Sequence, residues 1–282
     1  LHLDDQGLLD IDAPVADAVA WGSGNPTITP AQLVSNSSGL VGLGPDPAYA
    51  PYRCQFNPAD TLQECATAVF TTPDDDLDVV PPDSEFRYGG PQWQVAGAVA
   101  EAVSGKSWAE LIDEIYVQPC GLETLGFNNH FAQTQIGAGG FDYPTAFGAD
   151  PSRLLDTDNP NIEGGMYTTP GDYAQLLLMH LRGGRCGDTQ VLSQDALDRM
   201  HAYRVGEVYD GEARAGMGYG MGWWVNRETG RIDDPGLYGA VAWLDLDGGH
   251  GAFLVTESDA TTGYTLAAQL FEVVDSAVTT AT

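Results

Sequence analysis

The hydrophobic pattern changes period late in the chain, and that switch limits the folds open to it. Val95, Val99 and Val103 recur every fourth residue and Gly105 follows them, which predicts a helix from Pro91. Ser107-Trp108-Ala109-Glu110 reads as a capping box, opening a second helix that carries Leu111, Ile112 and Ile115 up to Pro119. Thr169-Pro170-Gly171-Asp172 offers an N-cap, a Pro at the first helical position and an acid in the first turn. That helix carries Leu176 to Met179 and stops at Gly183-Gly184, and Ser193 caps a short helix through Met200. From Met217 the character differs. Met217 to Val225, Gly239 to Leu246 and Gly251 to Thr256 are rich in Gly, aromatics and Val and are parted by turns, which predicts antiparallel strands. A closing helix, Gly263 to Val278, carries Leu266, Leu270, Val273 and Val274. A helical block followed by a strand block gives an α+β fold, an antiparallel sheet flanked by helices with a mostly helical second region.

Residues 1–40 and 205–282 are expected to form the sheet-containing region, and 41–204 the helical and loop-rich region. Between residues 41 and 85, Pro45, Pro47, Pro51, Pro58, Pro73, Pro81 and Pro82 argue against long helices, and Asp74-Asp75-Asp76 reads as a solvated turn. Leu1 and Leu3 followed by Gly7 read as the last turn of a helix and its left-handed cap, so polypeptide is expected before Leu1.

With 282 residues, 43% of them hydrophobic, the chain can bury a core of its own. Forty acidic residues against 11 Lys and Arg give a formal charge of −29, which repels phosphate backbones and anionic lipids and excludes nucleic acid as a partner. No apolar run reaches the ~20 residues of a membrane span. Cys54, Cys65, Cys120 and Cys186 contain no C-x-x-C and favour disulfides in an oxidising compartment, the periplasm or the exterior. Cys54 and Cys65 bracket a short loop and are expected to pair, leaving Cys120 with Cys186 by elimination, although three connectivities remain open. The histidines never fall at a metal-ligand spacing, and Asp245-Leu246-Asp247-Gly248-Gly249 reads as a hairpin turn and not a calcium loop. Neither a metal nor a cofactor is expected. Dinucleotide, phosphate-loop and Gly-x-Ser-x-Gly signatures do not occur.

Several segments in order carry a resemblance. Asp5 to Val15 (DQGLLDIDAPV) looks like "x-x-Gly-x-Leu-x-Leu-Asp-x-Pro-Val". Leu33 to Leu40 looks like "Leu-Leu-Thr-His-Thr-Ser-Gly-Leu", with Asn36 in the His place. Phe86-Arg87-Tyr88-Gly89-Gly90, then Gly97, Gly105 and Pro119-Cys120-Gly121-Leu122, resemble "Tyr-x-Asn … Gly … Gly … Pro-Leu-Gly-Met". Gly164 to Tyr173 resembles "Gly-Gly-Leu-x-Ser-Thr-x-x-Asp-Tyr", and Tyr219-Gly220-Met221-Gly222-Trp223 resembles "Tyr-Gly-Leu-Gly-Trp". Together they resemble the serine hydrolases of the class C β-lactamase, penicillin-binding protein and family VIII esterase group, over nearly the whole chain.

The resemblance implies a β-lactamase/transpeptidase-like fold and acyl transfer on an ester, amide or peptide, the substrate being a small acyl compound. A serine of Ser-x-x-Lys would attack, Lys and a Tyr would move protons, and backbone N–H groups would hold the oxyanion. Tyr88 takes the tyrosine's place and Gly90 that of the substrate-gripping Asn. Asp234-Pro235-Gly236 takes the place of the third motif, on an edge strand, with an acid where a cation belongs, and Leu237 would offer an oxyanion N–H. His250-Gly251 is a lower-ranked alternative for that motif. Lys106 is the only lysine, and Val103 stands three residues before it, so Ser-x-x-Lys does not occur. The nucleophile is therefore expected on polypeptide before Leu1, as an N-terminal fragment or segment supplying both the serine and further strands of the sheet. The competing reading is a non-catalytic binding or scaffolding relative.

Overall fold

The computed structural model describes residues 1–41, 50–71, 79–129, 156–205 and 214–281. Pro45, Pro47, Pro73, Asp74 to Asp76, His130 and most of the stretch 128–160 lie outside them. No helix among the described residues is long and apolar enough to cross a membrane.

Helices dominate the first part. Short α1 (His2–Asp5), α2 (Val15–Ala18) and α3 (Pro30–Val34) precede α4 (Leu62–Thr71) and α5 (Gly90–Ser104). Gly7 and Gly105 both take the left-handed conformation, at φ 70°. Helix α4 corrects the expectation that prolines keep residues 41–85 free of long helices. Pro58 and Pro73 bracket it without interrupting it, and a box caps its start: Glu64 N–H donates to Thr61 Oγ1 at 3.1 Å while Thr61 N–H donates to Glu64 Oε2 at 2.9 Å. The Ser107–Glu110 box opens α6 (Trp108–Ile112), which runs through a wide turn into α7 (Gln118–Cys120). Thr169 Oγ1 accepts from Asp172 N–H at the start of α8 (Pro170–Leu181), and Ser193 Oγ accepts from Ala196 N–H at the start of α9 (Gln194–His201). Asp5 receives the N–H and hydroxyl of Ser193 at 2.7 and 2.6 Å, tying α1 to α9.

The helical core joins Val15, Val19, Ile28, Leu33 and Leu40 to Leu62, Phe70, Val95 and Val99, with Ile162 on its rim. Each such side chain contributes about 1.5–3 kcal/mol by leaving water. Residues 15–40 thus pack with the helices, while Ile11 and Ala31 reach Met221 on the sheet side. Both disulfides form, Cys54 with Cys65 and Cys120 with Cys186.

Two short antiparallel pairs, β1 (Leu125–Phe127) with β2 (Met166–Thr168) and β3 (Arg185–Cys186) with β4 (Thr189–Gln190), precede the main sheet. That sheet is an antiparallel meander of β5 (Met217–Tyr219), β6 (Trp224–Asn226), β7 (Ile232–Pro235), β8 (Val241–Asp245) and β9 (His250–Leu254). The segment from Met217 to Val225 is therefore a hairpin and not one strand: Gly222 at φ 85° turns the chain and Gly220 N–H donates to Trp223 O at 2.8 Å. The Asp245–Gly249 segment is the expected hairpin turn, closed by Gly248 N–H on Asp245 Oδ1 at 2.6 Å. Along β8, Val241 and Trp243 face α10 (Ala260–Ala281), while Ala242 and Leu244 pack with Leu177 of α8. A strand covered on both faces needs apolar residues at successive positions, which is how 241–244 reads.

Candidate active site

Tyr88 sits on a loop whose shape is set by one buried side chain. Asn36 takes the left-handed conformation, φ 56°, which Asn tolerates better than most residues. Its carbonyl accepts from Arg87 N–H at 2.8 Å, and its Oδ1 accepts from Gly89 N–H and Gln92 Nε2, each at 3.2 Å. The main-chain carbonyl and the side-chain amide of Asn36 thus hold the backbone on the two sides of Tyr88. The Tyr88 ring then stacks on Trp224, centroids 5.9 Å apart and planes 24° apart, and meets Tyr219 edge-on at 6.1 Å.

Burial pushes the Tyr88 phenol well above its ordinary pKa, and the charges of Asp234 and Glu163 push it further. A cation would act in the opposite sense. Lys106 is paired with Glu114 on an exposed surface, and Arg214 is held by Asp233 at 2.5 Å with its guanidinium over Trp224 and Tyr264.

Asp234 lies at the end of β7. That strand is central in the sheet and not at its edge, which corrects the expectation for the third motif. Strand β6 begins at Trp224, opposite Asp233, so Asp234 and Pro235 run beyond it and pair only with β8. Gly236 N–H donates to Ala240 O at 2.7 Å, and the Leu237 side chain is exposed in the turn that follows. Burial, with help from Asp233, pushes the Asp234 carboxyl up to about 7, and Arg214 offsets part of that rise. His250-Gly251 lies at the opposite end of β8, where His250 faces Asp245.

Glu163 is the residue that sequence reasoning missed. It occupies a tight turn in which Gly165 N–H donates to Asn161 O at 2.8 Å and Gly164 N–H donates to Asn161 Oδ1 at 2.6 Å. A side chain at Gly165 would meet Asn128 O at 2.1 Å, so glycine is required there. Ile162 packs against Gly97 of α5, where a Cβ would come within 2.8 Å of it, and this fixes the turn against the helical core. Glu163 Oε1 is buried and has no hydrogen-bond partner. Burial first, then the charge of Asp234, pushes its carboxyl up to about 7. A Cβ at Gly90 would stand 2.5 Å from Glu163 Oε2 and 1.8 Å from Gln55 Oε1. The carboxylate therefore fills the space next to Gly90 where the resemblance places an Asn side chain. The available signal was an acid directly before the Gly164-Gly165 pair.

Two polar clusters lie elsewhere. His180 and His201, from α8 and α9, share a contact of 2.9 Å beside Trp223, and burial lowers them to about 3 and about 4 respectively. Asp245, His250 and Asp275 bring ligand atoms within 4.8 Å of one another, the geometry a cation could use. Arg231 already stands there, 2.7 Å from Asp275 and 3.9 Å from Asp245.

The order of these parts is that of a β-lactamase/transpeptidase-like fold. The description of the family named Beta-lactamase matches residues 1–274, and the chain belongs to that family. A putative D-alanyl-D-alanine carboxypeptidase of Escherichia coli O157:H7 is 24% identical over 57% of this chain and 41% of its own length. Penicillin-binding protein 4 of Amycolatopsis lactamdurans is 26% identical over 79% of this chain and 58% of its own. The chain thus spans roughly half the length of these curated relatives. Among solved structures, EstCE1, a hydrolase with promiscuous acyltransferase activity, superposes with a TM-score of 0.69 at 21% identity, covering 92% of this chain and 76% of that one.

Proposed function

We propose that the chain supplies the Tyr88 side of an acyl-transfer site that hydrolyses a small ester, amide or peptide. The nucleophile is the serine of a Ser-x-x-Lys motif on polypeptide before Leu1, in the same protein or as an N-terminal fragment of it. The serine oxygen attacks the carbonyl carbon as its proton passes to Tyr88, Tyr88 hands that proton to the alcohol or amine as its bond to the carbonyl carbon breaks, and water then hydrolyses the acyl-serine ester. The N–H of Leu237 serves the oxyanion. The lysine of the same motif provides the positive charge that Tyr88 needs, opposing Asp234 and Glu163. Two disulfides support an oxidising location, the periplasm or the exterior.

The observation that carries this reading is that Tyr88 and Asp234, the positions to which the resemblance assigns two of the motifs, lie within electrostatic reach of each other. The non-catalytic reading rests on the same carboxylates, which oppose Tyr88 as a base. Turnover of p-nitrophenyl acetate and of a chromogenic cephalosporin by the natural full-length protein decides between them. Hydrolysis of the ester, with a Tyr88→Phe loss of about 10²–10⁴ in kcat, supports catalysis. No turnover together with no labelling by a fluorophosphonate supports a binding protein.

A further inference from the structure

Between α5, α6 and the β1–β2 hairpin the packing leaves a groove of about 990 Å³. Trp108, Phe127 and Tyr167 give it an aromatic wall, with Ile112, Val117 and Leu125 beside them. Trp108 meets Phe127 edge-on, centroids 5.4 Å apart. Glu101 braces that wall: its Oε1 accepts from Trp108 N–H at 2.8 Å and its Oε2 from Gln63 Nε2 at 3.2 Å. The rim comes from two segments far apart in sequence. Thr157 Oγ1 donates to Pro58 O and Leu62 N–H donates to Asp158 O, each at 2.8 Å, which brings Asp60, Asp156 and Asp158 to the same groove.

Five carboxylates line the groove, those of Asp60, Glu101, Asp113, Asp156 and Asp158, against one cation, Lys106, which pairs with Glu114 outside it. Glu101 and Asp113 already accept hydrogen bonds from the chain. The carboxylates of Asp60, Asp156 and Asp158 hold no hydrogen bond or ion pair among the described residues, and Asp156 and Asp158 are exposed. Solvated acids are common in a chain of charge −29. These differ in converging on a concave surface with apolar walls, where charges of one sign focus the field and raise the local concentration of cations. A bare metal ion does not answer that field. Among the described residues three candidate ligand atoms come within 4.8 Å of one another only at Asp245, His250 and Asp275, so the groove's carboxylates stand too far apart to share one ion. Their spacing suits a charge carried on an organic body, whose apolar part the aromatic wall covers.

We propose that this groove is a second binding site, for an organic cation that carries an ammonium or guanidinium group on an apolar or aromatic body. The charge goes to Asp60, Asp156 and Asp158, and the body lies against Trp108, Phe127 and Tyr167. Neither Tyr88 nor Glu163 nor Asp234 lines the groove, so it is separate from the candidate active site and stands whether or not that site is catalytic. An anionic ligand meets repulsion here, and a small hydrated cation leaves the aromatic wall unused.

The test is calorimetric titration of the natural full-length protein at pH 7.5 with 3-phenylpropylammonium, 3-phenylpropanol and propylammonium. The first carries both charge and ring, and each of the others lacks one of them. The expected result is binding of 3-phenylpropylammonium about ten-fold tighter than either of the others. Asp60→Asn combined with Asp158→Asn weakens that binding about five-fold and leaves the circular dichroism spectrum unchanged. Asp247→Asn combined with Glu257→Gln removes the same charge at exposed positions outside the groove and leaves the binding as it was. Equal affinity for 3-phenylpropanol or for propylammonium overturns the proposal, as does absence of binding, or an equal loss in the two double variants. The comparison of the three ligands on the wild type stands even if a variant fails to fold. Neither turnover nor fluorophosphonate labelling enters these measurements, so failure here removes the groove site alone and leaves the acyl-transfer reading in place.

Discussion

Two acidic clusters on this molecule handle charge in opposite ways. At the far end of β8, Asp245 and Asp275 meet Arg231, and His250 donates from Nε2 to Asp275 at 2.9 Å. Burial works against the Asp275 charge, but His250 and Arg231 outweigh it and hold that carboxyl below its ordinary value. Beside Tyr88, Glu163 has no such partner and Asp234 has only the partial offset of Arg214, and both carboxyls are pushed up to about 7. The first cluster ties α10 to the sheet by pairing Asp275 with both Arg231 and His250, although Arg231 Nε and His250 Nδ1 have no hydrogen-bond partner. The second keeps its carboxyls raised, and in a chain of charge −29 such perturbed acids are the informative ones.

The contrast can be broken by substitution. Replacing Asp275 with Ala strips Arg231 of its 2.7 Å partner and His250 of its acceptor, and is expected to lower unfolding free energy by about 1–3 kcal/mol. Glu163→Gln is expected to do the reverse, stabilising the protein at pH 8 by about 1–2 kcal/mol and changing little at pH 5. The sign follows from the raised carboxyl: below the ordinary Glu pKa it is protonated in both states, and as pH rises toward about 7 the unfolded chain releases its proton first, so folding weakens. Denaturant melts of both variants at the two pH values check the pair. If both variants destabilise at pH 8, the distinction between the clusters fails.

The buried histidines sharpen the same comparison with the opposite slope. His180 and His201 are lowered, so as pH falls through about 6.5 the unfolded chain takes up protons before the folded one, and stability drops between pH 6.5 and 4. His180→Phe, which keeps a ring against Trp223, is expected to flatten that drop, read as the change of melting temperature with pH. Lys106→Ala removes an ion pair in which both side chains are exposed, and its effect should stay within about 0.5 kcal/mol. A larger loss would show that exposed pairing matters more here than the cluster at Asp275 suggests.

What the sequence made legible was local. The capping box at Ser107, the N-cap at Thr169, the stop at Gly105 and the Asp245–Gly249 turn each depend on residues within a few positions of one another, and all formed as read. Helix α4 was missed because prolines beside it drew attention from the proline-free run between them. Asn36, Glu163 and the His180–His201 pair were illegible for a different reason. Asn36 acts on a loop some fifty positions away, the histidines come from separate helices, and Glu163 becomes unusual only when Gly90 and Asp234 close around it. No period or spacing encodes such contacts, whereas the ordered resemblance pointed to Tyr88 and Asp234, which lie within electrostatic reach of each other.

The most direct test of the acyl-transfer account is to treat the natural full-length protein with a fluorophosphonate and locate the adduct by peptide mass mapping. The account predicts one modified serine, in a Ser-x-x-Lys sequence on the N-terminal side of Leu1, with modification slowed in the Tyr88→Phe variant. An adduct on any serine between Leu1 and Thr282, or no adduct at all, would contradict it.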